Sequence, residues 1–376
     1  MTFYIILFLL CLLSLFLSNI LKSQKEKDII SILALIMLCI VSGTRYNLGG
    51  SDYYVYESIF NSVPDLTQQS FFVVNNSWLA NYEKGYLFLN SVIKTIGFNF
   101  YGFTLIHSVI FFVFMYLGLK KYINNFPLLI MIFLYKIFFY NTFISLRQSI
   151  AVAIFFLISK YIQEKKPLKY FVGCIIALSF HNAALILFPI YFINRMVLTK
   201  NKIIFLNTLF LPTIIFSYVD LPIIKILVFI AQYLPTASVQ AKIAYFTSNV
   251  NLEGINLFHT LEYFLIMFLL IISYEKVVKI NKDSEFIIKL FLCLLPIFTL
   301  LRGYTILTRE KDFFTLTFAI ILNYLCQINK KKYSLVIQIV TIMVCAYGFF
   351  RFIILFDNGG MMPYDSYLFE NISIFQ

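Results

Sequence analysis

Met1 to Leu21 is an unbroken run without a charged side chain, long enough to cross a hydrocarbon core of about 30 Å. Inside lipid every backbone N–H and C=O needs a partner within the protein, so such a run is committed to a helix. It lacks the basic start and small-residue cleavage site of a signal peptide, and we read it as a retained first helix. Further apolar runs cover about Ile29–Thr44, Phe103–Leu119, Pro127–Phe143, Ser145–Tyr161, Ile203–Val219, Leu257–Tyr274, Phe286–Leu301, Phe313–Ile328 and Ser334–Phe356. Two segments are ambiguous. Tyr170–Ile193 either spans or forms a re-entrant hairpin broken near His181, and Leu221–Leu234 is short for a span. The expected fold is all-α: a polytopic transmembrane bundle of about ten to twelve membrane helices. It forms a single domain over residues 1–376, with a long external loop at 45–102, carrying short helices, between the second and third membrane helices.

Charge then orients the bundle. Only 13% of residues are charged, against roughly 25% in a soluble domain. The net charge of +12 could suggest nucleic acid, but the lysines stand in short clusters between apolar runs. Positive-inside topology explains that better, and no nucleic-acid partner is expected. Lys22/Lys25/Lys27, Lys120/Lys121, Lys160/Lys165/Lys166/Lys169, Lys276/Lys279/Lys282/Lys289 and Lys330/Lys331/Lys332 all land on one side, which is then cytoplasmic. Both termini and the 45–102 loop face outward. A hairpin at Tyr170–Ile193 would also keep Arg195, Lys200 and Lys202 inside, and is preferred for that reason.

Arginine follows a different rule from lysine. Of six arginines, Arg45, Arg147, Arg302 and Arg309 map to outer helix ends and Arg351 lies near one. Guanidinium groups bind phosphate and carboxylate through a rigid fork of donors, so an external anion site is indicated. The competing reading is that each arginine caps carbonyls at a helix end or snorkels to the headgroups.

Several absences narrow the chemistry. The chain has no G-x-x-x-x-G-K-[ST] loop, no D-x-D or D-D-x-x-D cluster, no H-E-x-x-H and no G-x-S-x-G elbow. Neither a nucleotide, a metal nor another cofactor is expected, and any substrate must arrive already activated. The six cysteines all lie in apolar runs without metal-ligand spacing, as packing residues do.

Three stretches carry the candidate site. At the outer end of the second helix, Arg45 precedes a Gly49-Gly50 turn, followed by Asp52, Tyr53 and Tyr56. Aromatic rings beside a carboxylate suit sugars, and also suit an interfacial aromatic belt. Glu83 lies later in the same loop. Arg147 and Gln148, in Ser145–Ala151, sit just inside an apolar span, where an ionisable residue is costly. His181, in Ala177–Ala183, interrupts an apolar segment as either a catalyst or a helix-bonded structural residue.

Together these stretches resemble the EpsG family of Wzy-type polysaccharide polymerases. The matching pattern is R-Y-x-x-G-x-D-Y-x-x-Y at Arg45–Tyr56, E-x-G-Y at Glu83–Tyr86, R-Q-x-I-A at Arg147–Ala151 and A-x-x-F-H-N-A at Ala177–Ala183. Beyond Ile193 only the helix pattern, the Arg309 region and Pro363-Tyr364 are suggestive. The resemblance implies a glycosyltransferase at the outer face of the bacterial cytoplasmic membrane. It would join oligosaccharide units carried on undecaprenyl diphosphate into capsule, exopolysaccharide or O-antigen, beside a flippase and a chain-length regulator. Asp52, Glu83 and His181 are the expected acid–base candidates. Arg45, Tyr53, Tyr56, Arg147, Gln148, Arg302 and Arg309 are the expected substrate contacts. The alternatives are an O-antigen ligase, an O-acetyltransferase, or a flippase or exporter of lipid-linked sugar.

Overall fold

The computed structural model describes residues 1–67, 78–217, 257–300 and 307–376. The segment Leu221–Leu234, the end of the Ile203–Val219 run and Arg302 lie outside the described residues. Within them the chain is helical, and the sole β pairings are isolated bridges from Arg45 to Ser366 and Phe98 to Phe375. Among the described residues, Thr2–Ile20, Phe100–Tyr122 and Lys331–Gly359 are long and apolar enough to cross a membrane.

Other expected spans are interrupted. The Pro127–Phe143 run is a helix only over Phe126–Lys136, followed by a wide π-turn at Tyr140–Ile144. Ser145–Tyr161 divides into Leu146–Ile158 and a short turn at Lys160–Gln163. Phe286–Leu301 breaks at Cys293, between Ser284–Leu292 and Leu294–Thr299. Pro296 explains that break, since it has no N–H to return to the carbonyl of Leu292.

The chain forms two compact units, one of Met1–Tyr191 with Asn329–Gln376 and the other of Phe192–Ile328. In the first, α1 (Thr2–Ile20), α2 (Gln24–Gly43), α5 (Phe100–Leu119), α6 (Phe126–Lys136), α7 (Leu146–Ile158) and the C-terminal helix (Lys331–Leu355) run between two distinct ends. The external loop adds α3 (Ser51–Ser62) and α4 (Lys84–Thr95). One end is rich in lysine and amide groups. There Asn19 bonds Gln338, Ser18 bonds Asn125, Lys120 pairs with Asp28 and Tyr122 meets Ser159. At the other end Tyr4 donates to the carbonyl of Met361, Tyr364 to that of Val41, and Ser366 to that of Thr44. Both termini and the start of the loop therefore share one end, opposite the lysines.

The Tyr170–Ile193 segment folds back on itself. Pro167–Phe180 stops at His181, whose backbone is extended, and a tight turn at Asn182–Ile186 leads into Leu187–Ile193. Tyr170 donates to the carbonyl of Leu187 at 2.7 Å and its ring lies 5.7 Å from Tyr191. The chain thus returns to the level where it entered. A helix of 14 residues rises about 21 Å, short of the roughly 30 Å core. This is hairpin geometry.

The second unit packs Leu257–Val277 against Ser284–Leu292 and Thr317–Ile328, with Tyr263 stacked on Phe291 at 4.9 Å and Phe291 edge-on to Phe318. Lys289 is buried there, yet satisfied by Glu285 at 2.9 Å and the Asn194 carbonyl at 2.9 Å.

Candidate functional site

The Arg45 stretch is built around a turn that needs glycine. Gly49 has φ +135 and Gly50 φ +66, and a Cβ on Gly49 would meet the Phe143 carbonyl oxygen at 2.5 Å. Two glycines therefore let the loop press against the π-turn at Tyr140–Ile144, which leads directly into Arg147. Arg45 itself is fully buried. It donates through Nη1 to the Ser42 carbonyl at 2.5 Å and through Nε to that of Leu48 at 3.2 Å. Its guanidinium also lies 5.2 Å from the Phe143 ring centre and 5.8 Å from that of Tyr53. Burial lowers its pKa to about 10, so it stays charged at neutral pH.

Asp52 occupies the first turn of α3, where a carboxylate suits the helix dipole. Tyr53 and Tyr56 point inward with Ile59 and Phe60, so α3 buries its aromatic side rather than displaying it. Burial also pushes the Tyr53 and Tyr86 phenols up. Tyr56 and Tyr86 meet edge to face at 5.8 Å, which joins the first motif to α4.

Glu83 immediately precedes α4 but does not cap it. Its carboxylate instead accepts from Arg147, as a short, part-buried ion pair. The Arg147 guanidinium stacks over Tyr82 at 5.1 Å, and its Nε has no hydrogen-bond partner. Gln148 is not beside it. Successive helix residues project about 100° apart, and Gln148 is fully buried, with the Ser145 hydroxyl 3.4 Å from its Oε1.

The fourth motif arrives through Gly85. A Cβ there would lie 2.8 Å from the Ser179 carbonyl oxygen, so only glycine allows α4 to touch the end of Pro167–Phe180. His181, one turn of chain further, accepts from the Ala183 N–H through Nδ1 at 3.2 Å and so caps the turn that reverses the hairpin. His107 holds α7 to α5, with Nε2 at 2.9 Å from the Leu146 carbonyl and 3.2 Å from the Ser149 hydroxyl.

All four motifs are thus brought to the arginine end of the first unit. Arg309 belongs to the second unit, in the turn Leu307–Lys311. The C-terminal segment, outside the four motifs, lies across the Arg45 turn. The Tyr46 N–H donates to the Asp365 carbonyl at 3.1 Å and the Tyr367 N–H to that of Thr44 at 3.1 Å. The Pro363-Tyr364 pair was the one sequence signal for it. A wholly apolar groove runs between α2 and α5, lined by Leu35, Cys39, Leu105, Val109 and Phe112 among others. Leu105 also packs on Gly43 next to the Arg45 turn, so the groove leads up to the arginine end.

The model of the EpsG family matches the chain over residues 28–366, a range that contains all four motifs. No curated protein and no solved structure matches it.

Proposed function

Since the chain belongs to the EpsG family, whose members support a membrane polysaccharide polymerase-like role, we propose that it polymerises undecaprenyl-diphosphate-linked oligosaccharide at the outer face of the bacterial cytoplasmic membrane. The observation that carries this is the ion pair of Arg147 with Glu83, set where four separated motifs meet. An arginine at headgroup level and an adjacent carboxylate are what a diphosphate leaving group and a hydroxyl nucleophile require.

In the proposed reaction the growing chain is the donor. A hydroxyl oxygen of the incoming unit attacks the anomeric carbon, the bond from that carbon to the diphosphate oxygen breaks, and lipid diphosphate leaves. Arg147 stabilises the charge gathering on that leaving group. In taking the diphosphate it releases Glu83, whose carboxylate then accepts the hydroxyl proton. Asp52 and His181 are the other acid–base candidates, and Tyr53 and Tyr56 shape the sugar-facing loop from below. Arg302, Arg309 and Gln148 are further candidates for substrate contact. The groove between α2 and α5 offers an apolar path for the polyprenyl chain. No metal is invoked, because Arg147 supplies positive charge for the departing diphosphate. A flippase would supply the substrate and a chain-length regulator would limit the product.

The test is the pool of lipid-linked glycans in a deletion strain. Single unpolymerised units on the outer face support the polymerase. Units trapped inside would identify a flippase instead.

A further inference from the structure

The helix that carries Arg147 begins without the usual cap. Ser145 stands at the N-cap position of α7, but its side chain makes no cap bond and its hydroxyl turns instead to Gln148 at 3.4 Å. A first turn left in that state tends to fray, yet it bears the guanidinium on which the proposed reaction depends. A side chain from the neighbouring helix grips it. His107 of α5, fully buried, brings Nε2 to 2.9 Å from the Leu146 carbonyl. A carbonyl oxygen only accepts, so this contact places the ring proton on Nε2 and makes His107 the donor. The Ser149 hydroxyl donates to the same oxygen at 2.8 Å and lies 3.2 Å from Nε2.

The choice of carbonyl matters. The oxygen of Leu146 and the Cα of Arg147 belong to one planar peptide unit, so a bond to that oxygen fixes the plane from which the Arg147 side chain departs. Holding the two helices together is a separate task. Towards the other end of α5, Gly118 lies so close to α7 that a Cβ would stand 2.6 Å from the Phe156 carbonyl carbon. Close packing thus sets the helix pair, and the bond from His107 acts on the peptide unit of Arg147.

We infer that His107 is a positioning residue for Arg147, aiming its guanidinium at Glu83 and at the leaving group through the Leu146 carbonyl. This role rests on the polymerase reading. It makes no contact with substrate; its effect on the reaction passes wholly through the arginine.

The test is a double-mutant cycle. Membranes bearing matched amounts of full-length protein are supplied with lipid-linked units extracted from the deletion strain, and the limiting rate of polymer formation is measured. His107→Leu, which has no donor, should run on the order of tenfold slower than wild type. His107→Gln, whose amide nitrogen can reach the place of Nε2, should restore the rate. In the Arg147→Lys background His107→Leu should cost little more, because a residue that acts through another has no effect of its own once that partner is changed. Should His107→Leu fail to accumulate, His107→Asn replaces it, since its shorter amide stops short of the Leu146 carbonyl. Losses that multiply in the double variant overturn the role, as would be seen for an independent packing residue. A wild-type rate from His107→Leu, or His107→Gln no better than His107→Leu at matched level, also overturns it. A deletion strain with normal polymer would sink the polymerase reading and this role with it, whereas multiplied losses in a strain that depends on the protein overturn the role alone.

Discussion

Arg147 and Glu83 are 64 residues apart in the chain and form one part-buried ion pair. The pair is more than a local contact, because it fastens the external loop to the first turn of α7. A lysine at position 147 would keep the charge but lose the planar fork that suits the proposed diphosphate. Arg147→Lys is therefore expected to insert and accumulate normally yet polymerise on the order of a hundredfold more slowly, about 3 kcal/mol of lost leaving-group stabilisation. Polymer ladder length at matched protein level measures this. Full-length polymer from Arg147→Lys would show that bidentate recognition at this position is wrong.

Glu83→Gln separates anchoring from proton transfer. The amide can still accept from Arg147, so the loop should stay docked, but it cannot take a proton. Accumulation near wild type with no polymer is expected. If polymer persists in this variant, the base must be sought at Asp52 or His181.

For His181 the geometry gives a sharper substitution than alanine. Asparagine places an acceptor oxygen close to where Nδ1 lies, and asparagine is itself a favoured cap. His181→Asn should keep both protein level and polymer, while His181→Ala should lose about 1 kcal/mol through the missing cap. Stable His181→Asn protein that makes no polymer would instead give the imidazole a chemical role.

Gly49→Ala tests the loop's seat. A Cβ would stand 2.5 Å from the Phe143 oxygen at a backbone angle that side chains avoid, a strain of about 1–3 kcal/mol before any repacking. Poor accumulation is expected, and wild-type levels measured by quantitative blotting would mean the turn is not seated as described.

Glu310 provides a pH handle in the second unit. Burial, with the neighbouring Asp312 carboxylate adding to it, raises its pKa from the usual carboxylate value to about 7. The folded chain then holds a proton that the unfolded chain has released, so Glu310 lowers stability as pH rises from about 4.5 to about 7. Melting temperature should fall across that window for the wild type and fall less for Glu310→Gln. Identical slopes would show that Glu310 is not the group responsible.

The parts of this fold that follow one-dimensional rules were readable from the chain. Uncharged runs gave helices, the first unit's lysine clusters gave one of its ends, and the Tyr170–Ile193 break fell at His181. What was hidden depends on pairing across sequence. Arg45 was expected to face anions at the surface, but it is enclosed, because the carbonyls at the end of α2 compete for the same donors. Gln148 was grouped with Arg147 by adjacency, which a helix undoes. Glu83 and Arg147 each stood out singly, and nothing local states that they bind each other. Tyr367 carries no motif at all, so its bond to the Thr44 carbonyl becomes visible only once the C-terminal segment is seated.

The short hairpin of Pro167–Phe180 and Leu187–Ile193 has a mechanical consequence for the surrounding lipid. Its first arm is about 9 Å shorter than the roughly 30 Å hydrocarbon core. The bilayer on that flank must either dimple to meet His181 or leave a wet notch above it. Under the proposed function, a substrate headgroup approaching from the side would find Glu83 and Arg147 at the rim of a depression, reached by sliding downhill within the leaflet and not by climbing out into solvent.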